Sequence, residues 1–327
     1  MNLSRRTLAA MLAALPLATP ALAQDRLAAL DDRIDGLDQL RTLLVLRDGQ
    51  EALARTKGSF RLDRPANVKS VSKSVVAALL GAAIDRGVIP SVHATLADVA
   101  PNLIPANADP RVAAITLEDL VTLRGGTERT SGANYGGWVS SPNWIADALS
   151  RPLVAEPGAQ FLYSTGSTHV LGAAIATAAD RSLLTLARDW LGTPLGIEIA
   201  AWTRDPQGYY LGGNEMTLTP RAMATFGELY RTGGGDVLSE DWIAESWTPR
   251  TRSPFSRHDY GYGWFLARAG EHRIAYARGY GGQMIYVVPD LALTVAITSD
   301  PTRPARSAGY GGALNRLLAD GIIPAIA

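Results

Sequence analysis

A serine and a lysine three residues apart, Ser70 and Lys73, open an apolar run that extends to Gly87. A helix that begins near Ser70 would place both side chains on one face, one turn apart. Its N-terminus would put partial positive charge beside the serine, where an oxyanion would develop. A serine hydroxyl needs an adjacent base to become a nucleophile, and a desolvated lysine can be that base. The pair therefore indicates nucleophilic attack on a carbonyl group.

Lysine is rare in this chain, which makes its position informative. Of the 31 basic residues only Lys57, Lys69 and Lys73 are lysines, and the others are arginine. Arginine keeps its proton in proteins, whereas a desolvated lysine beside a second cation can lose it. Because a short pattern such as Ser-x-x-Lys also arises by chance, it carries weight only together with further motifs.

Composition excludes several classes of protein and site. The 31 basic residues balance 31 acidic ones, no basic block occurs, and the chain has no cysteine. We therefore expect no nucleic-acid partner, and disulfides, thiolate zinc sites and a cysteine nucleophile are excluded. No clustered metal-ligand spacing, P-loop or dinucleotide-binding glycine pattern occurs, so we expect no metal and no cofactor.

The first 23 residues have the pattern of an export signal. A basic start leads into an apolar run to Ala18, and Ala21-Leu22-Ala23 is a small-x-small cleavage site. Ser4-Arg5-Arg6-Thr7-Leu8 also fits a twin-arginine signal. We therefore expect a periplasmic or secreted protein comprising residues 24–327, with no membrane span after the signal is removed.

Strand patterns at both ends flank a mostly helical middle. The predicted strands are 42–47 and 50–55, joined at Asp48-Gly49, and 263–268, 273–278, 283–289 and 291–298. The predicted helices are 25–40, the run from Ser70, 95–98, 116–123, 164–179, 219–231 and 311–318.

This order of elements predicts an α+β fold, an α/β sandwich. Its antiparallel sheet is built from both chain ends, residues 24–89 and 255–327, and is flanked by helices. A mostly helical lobe, residues 90–254, is inserted between the two halves of the sheet lobe.

Three motifs follow one another along the chain. Ser70-x-x-Lys73 is followed by Tyr163-Ser-Thr165, and then by Arg278-Gly279-Tyr280 at the opening of a strand. In this order and layout the whole mature chain resembles the serine β-lactamase-related superfamily, which includes class C β-lactamases, penicillin-recognising peptidases, esterases and amidases. The stretches 163–172 and 279–283 are most similar to the aminohexanoate-oligomer (nylon-oligomer) hydrolases and related esterases.

The resemblance implies a role for each motif residue. Ser70 is the acylated nucleophile and Lys73 takes its proton. Tyr163 is the general acid/base that protonates the leaving group, and an adjacent ammonium suits a phenol to that task. The backbone N–H groups of Ser70 and Tyr280 form the oxyanion hole.

A second set of residues is expected to contact the substrate, from the motifs and from a glycine-rich aromatic stretch of the helical lobe. The glycines could equally only shape the turn, and the aromatic residues could equally pack the lobe together. The set comprises Thr165, Gly279, Gly281, Gly282, Gln283, Tyr135 and Trp138.

Two positions depart from the superfamily's pattern. Thr165 stands where asparagine is usual, and Ala277 stands where a lysine or histidine usually helps to bind the ligand carboxylate. Arg278 is adjacent, but on a strand its side chain points to the opposite face from Ala277. We therefore expect an esterase or amidase of small acyl substrates, with a D-amino-acid-type peptidase or weak β-lactamase as the alternative.

Two other hypotheses use the same residues differently. A Ser-His-Asp triad is disfavoured because no Gly-x-Ser-x-Gly elbow occurs, and the four histidines are expected at the surface or in loops. A non-catalytic periplasmic binding protein on the same fold is the rival from another class. The presence of Ser70, Lys73 and Tyr163 favours an enzyme acting on a small molecule, either as a monomer or as a homodimer. The histidines are His93, His169, His258 and His272.

Overall fold

A large antiparallel sheet organises the structure, a computed structural model that describes residues 26–306 and 308–327. The predicted export signal, residues 1–23, lies outside the described residues. The strands are β1 Leu40–Arg47, β2 Gln50–Thr56, β3 Ala66–Asn67, β4 Thr217–Leu218, β5 Thr251–Arg252, β6 Asp259–Tyr260, β7 Phe265–Ala269, β8 His272–Gly279, β9 Gln283–Val288 and β10 Leu293–Ser299. Eight of them form one sheet in the order β2-β1-β10-β9-β8-β7-β6-β5, and β3 pairs with β4 separately.

Helices cover both faces of this sheet. The α-helices are α1 Asp31–Asp35, α2 Ser72–Asp85, α3 Leu96–Val99, α4 Leu117–Val121, α5 Tyr135–Val139, α6 Trp144–Ser150, α7 Thr165–Ala178, α8 Leu183–Ala187, α9 Thr193–Leu195, α10 Pro220–Arg231, α11 Glu240–Ser246, α12 Tyr310–Leu317 and α13 Ile323–Ile326. Short 3₁₀ turns occur at Lys69–Val71, Pro101–Leu103, Pro110–Ala114, Gly132–Asn134 and Pro289–Leu291, and π-helical turns at Arg188–Gly192 and Leu318–Ile322.

Side chains alternate between the two faces of each strand, so the sheet contributes residues to two hydrophobic cores. On β8, Ala275 and Ala277 join the core that contains α2, α7 and α10, whereas Ile274 and Tyr276 join the core beneath α12. All six residues of β9 are buried. A strand covered on both faces is typically a continuous apolar run, as β9 is after its first residue, Gln283. The predicted fold, with its sheet assembled from both chain ends, is confirmed.

Local signals place the ends of several elements where they were predicted. Asp48 and Gly49 have φ of 50° and 73°, the left-handed conformation that a two-residue hairpin turn requires. Thr95 and Thr116 each form a capping box at the start of a helix, and the Thr219 hydroxyl accepts from the Ala222 N–H. These contacts lie within a few residues of each other, which is why the sequence alone predicts them.

The predicted helix 25–40 is wrong in its extent. The α-helix α1 ends at Asp35, and Leu40 already begins β1. The apolar residues that suggested the helix are nevertheless buried, in the core that covers the second face of the sheet. They are Leu27, Leu30, Ile34 and Leu37. Pairing of Leu40 with Ser299 on β10 draws the chain out of the helix.

The two-residue strands β3 to β6 were not predicted, because segments this short show no periodicity. Within residues 26–306 and 308–327, no one helix is both long and apolar enough to cross a membrane. The helical stretches Thr165–Ala178 and Leu183–Leu195 reach that length and apolarity only as a pair, and the pair is bent by 85°.

Candidate active site

Ser70 lies in the 3₁₀ turn that leads into α2, half-buried and facing a cleft. The turn is held by its neighbours: the Asn67 side chain accepts from the Lys69 N–H at 2.9 Å, and the Ser72 hydroxyl donates to the Lys69 carbonyl at 2.6 Å. The regular α-helix begins at Ser72. Ser70 and Lys73 therefore lie on adjacent turns, and Lys73 Nζ is 3.5 Å from Ser70 Oγ.

The Lys73 ammonium is almost completely enclosed, with 3% of the residue exposed. Its Nζ donates to the Gly213 carbonyl at 2.7 Å and contacts Thr165 Oγ1 at 3.2 Å. Burial disfavours the charged form and lowers the pKa of Lys73 from 10.5 to about 7. Near neutral pH this lysine therefore exists in both the protonated and the neutral form.

Tyr163 lies two residues before the start of α7, and its ring centre lies 5.1 Å from Lys73 Nζ. Its hydroxyl lies close to the side chain of Ser70. Burial raises the pKa of Tyr163 above its usual value of 10, although the Ser70 side chain and the charge of Arg278 act in the opposite direction. The phenol consequently keeps its proton at neutral pH and can act as a proton donor.

Thr165 is the first residue of α7 and is buried. Its Oγ1 bridges Lys73 Nζ and Ser131 Oγ, the latter at 2.9 Å, and its backbone N–H donates to the same serine oxygen at 2.9 Å. The shorter threonine thus still reaches the lysine, as part of a hydrogen-bonded chain from Ser131 to Lys73.

Gly279, at the end of β8, lies against the turn that carries Ser70. A Cβ at this position would lie 2.2 Å from the Val68 carbonyl oxygen and 3.1 Å from Lys69 Cβ. A side chain there would force the strand away from the turn that carries Ser70. The next residue, Tyr280, is 52% exposed and faces the cleft.

The cleft has a volume of about 1010 Å³, and its wall includes Ser70, Tyr163, Thr165, Gly279 and Tyr280. Motifs far apart in the sequence thus meet around one cavity of the size that holds a small molecule. The cleft wall also includes the polar residues Lys69, Ser131, Asn214 and Glu215. Its aromatic residues include Tyr135, Phe255 and Phe265. Among the residues with described structure, no three His, Cys, Asp or Glu side chains cluster as metal ligands would.

Four residues expected to contact the substrate do not line this cleft. Gln283 is fully buried, and its side chain exchanges two hydrogen bonds with the Ser299 backbone, at 2.9 and 3.0 Å. Gly281 and Gly282 have φ of 83° and 96° and shape the turn after Gly279. Trp138 is also fully buried, where its indole N–H donates to the Trp144 carbonyl at 2.8 Å. Of the two aromatic residues predicted together, only Tyr135 lines the cleft.

Arg278 lines the cleft although it projects from the sheet face opposite Ala277. Ala277 is buried in the α2 core, so this position carries no cation at the site. The guanidinium of Arg278 donates to the Ala305 carbonyl. Arg278 lies at the end of β8, next to the cleft, which is why it can reach the cavity from that face.

The expectation that every histidine lies at the surface or in a loop is wrong for His169. This residue is inside α7, fully buried, with Nε2 3.0 Å from the Asp205 carboxylate. Its Nδ1 accepts the Gly212 N–H at 3.3 Å. The pair fastens the loop that carries Gly213 to α7.

Sequence reasoning missed several residues of the site. The carbonyl of Gly213 and the side chains of Glu215 and Ser131 belong to loops without a recognisable motif. The paired glycines Gly212 and Gly213 were the available signal, since a Cβ on Gly213 would lie 2.9 Å from Lys73 Nζ. Paired glycines indicate that another group approaches the backbone closely, but they do not identify that group.

Known proteins were matched at the level of family and of fold. The profile of the family described as Beta-lactamase matches residues 30–320. No curated protein matches the chain by sequence. The structure is similar to EstCE1, a hydrolase with promiscuous acyltransferase activity, with a TM-score of 0.77 and 18% identity over 94% of this chain and 99% of that one.

Two further structures share the fold. A D-stereospecific amidohydrolase from Streptomyces sp. has a TM-score of 0.69 and 17% identity, over 90% of this chain and 97% of that one. A Bacillus anthracis protein provisionally described as a 6-aminohexanoate-dimer hydrolase has a TM-score of 0.74 and 17% identity, over 90% and 80% of the two chains. Since the family profile covers most of its length, the chain belongs to the beta-lactamase family, a family of serine hydrolases.

Proposed function

We propose that this protein hydrolyses an ester or amide carbonyl through a covalent acyl-enzyme formed on Ser70. The observation that carries the proposal is the environment of Lys73: its buried Nζ lies 3.5 Å from Ser70 Oγ, with its pKa lowered to about 7. A general base is most effective when its pKa lies near the working pH. Burial brings the pKa of Lys73 into this range, so no neighbouring charged group is required to lower it.

The hydrogen-bond partners of Lys73 orient its lone pair. A neutral amine has two N–H donors, and the carbonyl of Gly213 can only accept one of them. The second is directed to Thr165 Oγ1, which leaves the lone pair for the Ser70 hydroxyl. In the acylation step Lys73 takes the Ser70 proton while Ser70 Oγ bonds to the substrate carbonyl carbon.

The remaining steps use Tyr163 and the backbone near Gly279. The N–H groups of Ser70 and Tyr280 donate to the oxyanion of the tetrahedral intermediate. Tyr163 gives its proton to the leaving alkoxide or amine and recovers one from Lys73. Water then attacks the acyl-enzyme as neutral Lys73 accepts its proton. The bond between the acyl carbon and Ser70 Oγ breaks, Lys73 returns that proton to Ser70 Oγ, and the carboxylic acid leaves.

The cleft favours a small, apolar acyl group. Phe255 and Tyr280, which both face it, are 62% and 52% exposed. Exposed aromatic rings beside a nucleophile offer a surface for an apolar group. The names of the similar structures, a hydrolase with acyltransferase activity and a D-stereospecific amidohydrolase, are consistent with an ester or amide substrate.

A D-amino-acid-type peptidase or weak β-lactamase is the second candidate. The observation in its favour is that Arg278 lines the cleft and brings a cation to it. Against it, Ala277 supplies no cation on its own face of β8. Activity on a D-alanyl amide or on nitrocefin above that on simple esters would favour this candidate.

The proposal is tested by treating the protein briefly with a fluorophosphonate, locating the adduct by mass spectrometry and following p-nitrophenyl butyrate hydrolysis in parallel. We expect one adduct, on the peptide containing Ser70, and loss of turnover at the same rate. Ser70→Ala and Lys73→Ala should each abolish turnover. A Ser70→Ala protein with full activity contradicts the mechanism, and a wild-type protein with neither adduct nor turnover favours the non-catalytic binding protein.

A further inference from the structure

We propose that the ion pair between Lys69 and Glu215 is a positioning element for catalysis. In this inference, which rests on the proposed function, the pair holds the turn carrying Ser70 and the loop carrying Gly213 in one fixed arrangement. Lys73 depends on that arrangement because its hydrogen-bond acceptor is the Gly213 carbonyl.

Both oxygens of the Glu215 carboxylate make short contacts. Lys69 Nζ lies 2.8 Å from Glu215 Oε1, and the Asn67 amide donates to Glu215 Oε2 at 2.5 Å. Lys69 and Glu215 side chains are 20% and 27% exposed, so the pair is far better shielded than a surface ion pair such as Arg61–Asp63. Shielded, hydrogen-bonded charge pairs hold a defined geometry, whereas exposed ones contribute little.

Both residues of the pair have strained backbones. Lys69 has φ of 51° and Glu215 has φ of 65°, the left-handed region that residues with a Cβ rarely adopt. Such conformations persist where the surroundings over-determine them, and they concentrate at functional sites. Lys69 directly precedes Ser70, and Glu215 lies two positions after Gly213, whose carbonyl accepts from Lys73. The side chains of these two strained residues bind each other.

The backbones of the two segments are also joined. Asn67 on β3 pairs with Thr217 on β4, the Val68 N–H donates to the Met216 carbonyl at 2.9 Å, and the Met216 N–H donates to Ser72 Oγ at 3.3 Å. These bonds attach the loop to the segment that carries Ser70 only at residues 216 and 217. The Glu215 side chain continues the attachment toward Gly213, where the loop meets Lys73.

A role in binding substrate fits these contacts less well. Each oxygen of the Glu215 carboxylate already accepts a hydrogen bond from within the protein, one from Lys69 and one from Asn67. Disrupting the pair should therefore impair the chemical step rather than substrate binding. This separates a positioning role from a binding role, because the first lowers kcat and the second raises KM.

The test compares Glu215→Gln, Lys69→Met, the double variant and Lys69→Arg with the wild type. We expect each charge-removing single variant to lower kcat for p-nitrophenyl butyrate, and the rate of fluorophosphonate labelling of Ser70, by about tenfold or more, with KM changed by less than about threefold. The double variant should be no slower than the slower single variant, because the pair acts as a unit. Lys69→Arg keeps the charge and should restore much of kcat.

Glu228→Gln is the matched control. Glu228 and Arg231 form a similarly shielded ion pair in α10, outside the cleft wall, with side chains 15% and 13% exposed and an N–O distance of 2.7 Å. This substitution should leave kcat and labelling unchanged. Melting temperatures of all variants show which ones fold.

Wild-type kcat and labelling rate in folded Glu215→Gln and Lys69→Met would overturn the inference, as would a rise in KM with kcat unchanged. Should those variants not fold, Glu215→Asp decides: its shorter side chain cannot keep both the Lys69 and Asn67 contacts, so a lowered kcat supports the inference and an unchanged one contradicts it. A wild-type protein without adduct or turnover removes the proposed function itself, and the inference with it.

Discussion

Lys73 donates a 2.7 Å hydrogen bond to the carbonyl oxygen of Gly213, which follows it by 140 positions in the chain. An acceptor this close stabilises the protonated amine, yet the pKa of Lys73 is lowered to about 7. The cause of the lowering is desolvation of the buried ammonium. The result is a lysine that can both accept a proton from Ser70 and return one within the same catalytic cycle.

The activity should rise with pH through a midpoint near 7. Because Lys73 must be neutral to accept the Ser70 proton, kcat/KM should fall about tenfold per pH unit below its pKa of about 7 and level off above it. Tyr163 sets no upper limb below pH 10, because its pKa is raised. Initial rates with p-nitrophenyl butyrate from pH 5 to 9 measure the profile. A flat profile over this range would exclude Lys73 as the base.

Lys73→Met should stabilise the protein, and more so at low pH. The unfolded chain keeps its lysine protonated up to about pH 10.5, whereas the folded protein releases that proton near pH 7. Burying Lys73 thus costs most below pH 7, and the cost falls by about 1.4 kcal/mol per pH unit between those values. Urea unfolding at pH 6.5 and pH 9 measures the difference in free energy of unfolding between variant and wild type.

Ser70→Ala is the control for that experiment, because it removes the nucleophile without removing a charge. Its effect on the free energy of unfolding should be the same at both pH values. If the effect of Lys73→Met is equally independent of pH, the lysine is not desolvated as the structure describes.

Tyr163→Phe should lower kcat/KM for an alkyl amide substrate by about 10²–10⁴-fold, the usual contribution of a general acid or base. The loss should be much smaller for a p-nitrophenyl ester, because nitrophenolate leaves without being protonated. Parallel assays on one amide and one nitrophenyl ester with the same acyl group provide the measurement. Equal losses on both substrates would contradict a role for Tyr163 in protonating the leaving group.

Thr165→Val should lower kcat by about tenfold, because it removes the hydroxyl that bridges Lys73 and Ser131 at nearly constant volume. Thr165→Ser keeps that hydroxyl and is the matched control. The kcat of both variants, together with their melting temperatures, is the measurement. If the valine and serine variants have the same kcat, the Thr165 hydroxyl does not orient Lys73.

Gly279→Ala should reduce the rate of fluorophosphonate labelling at Ser70 by about 10²-fold, because small displacements of a reacting geometry are that costly. Its Cβ would lie 2.2 Å from the Val68 carbonyl oxygen, so β8 and the nucleophile turn must separate. Gly137→Ala is the control: it lies in α5, where a Cβ would meet nothing within 4 Å. Labelling kinetics at one reagent concentration compare the two, and equal rates would show that the close approach at Gly279 is dispensable.

Much of the fold could be predicted because its signals are local. The turn at Asp48-Gly49, the caps at Thr116 and Thr219 and the left-handed Gly87 after α2 follow from torsional preferences and from contacts within four residues. The proximity of Ser70 and Lys73 is of the same kind, since helical geometry alone brings positions i and i+3 together.

The same local patterns could not say which side chains reach the cleft. Tyr135 and Trp138 share one short segment, yet one lines the cleft and the other is buried against Trp144. Gln283 follows the third motif but bonds to β10. Which side of a segment is covered depends on the element that packs across it, and those elements come from distant parts of the chain.

The sequence by itself determined the spacing of Ser70 and Lys73, the proposed nucleophile and base, and the order of the motifs around them. Only the tertiary structure decided that Lys73 is buried deeply enough to lose its proton near neutral pH. Burial lowers its pKa, and its Nζ contacts Thr165 of α7 and the Gly213 carbonyl, which lies in the loop whose Glu215 binds Asn67 and Lys69. Desolvation is a property of packed surroundings, which the spacing of residues along a chain does not contain.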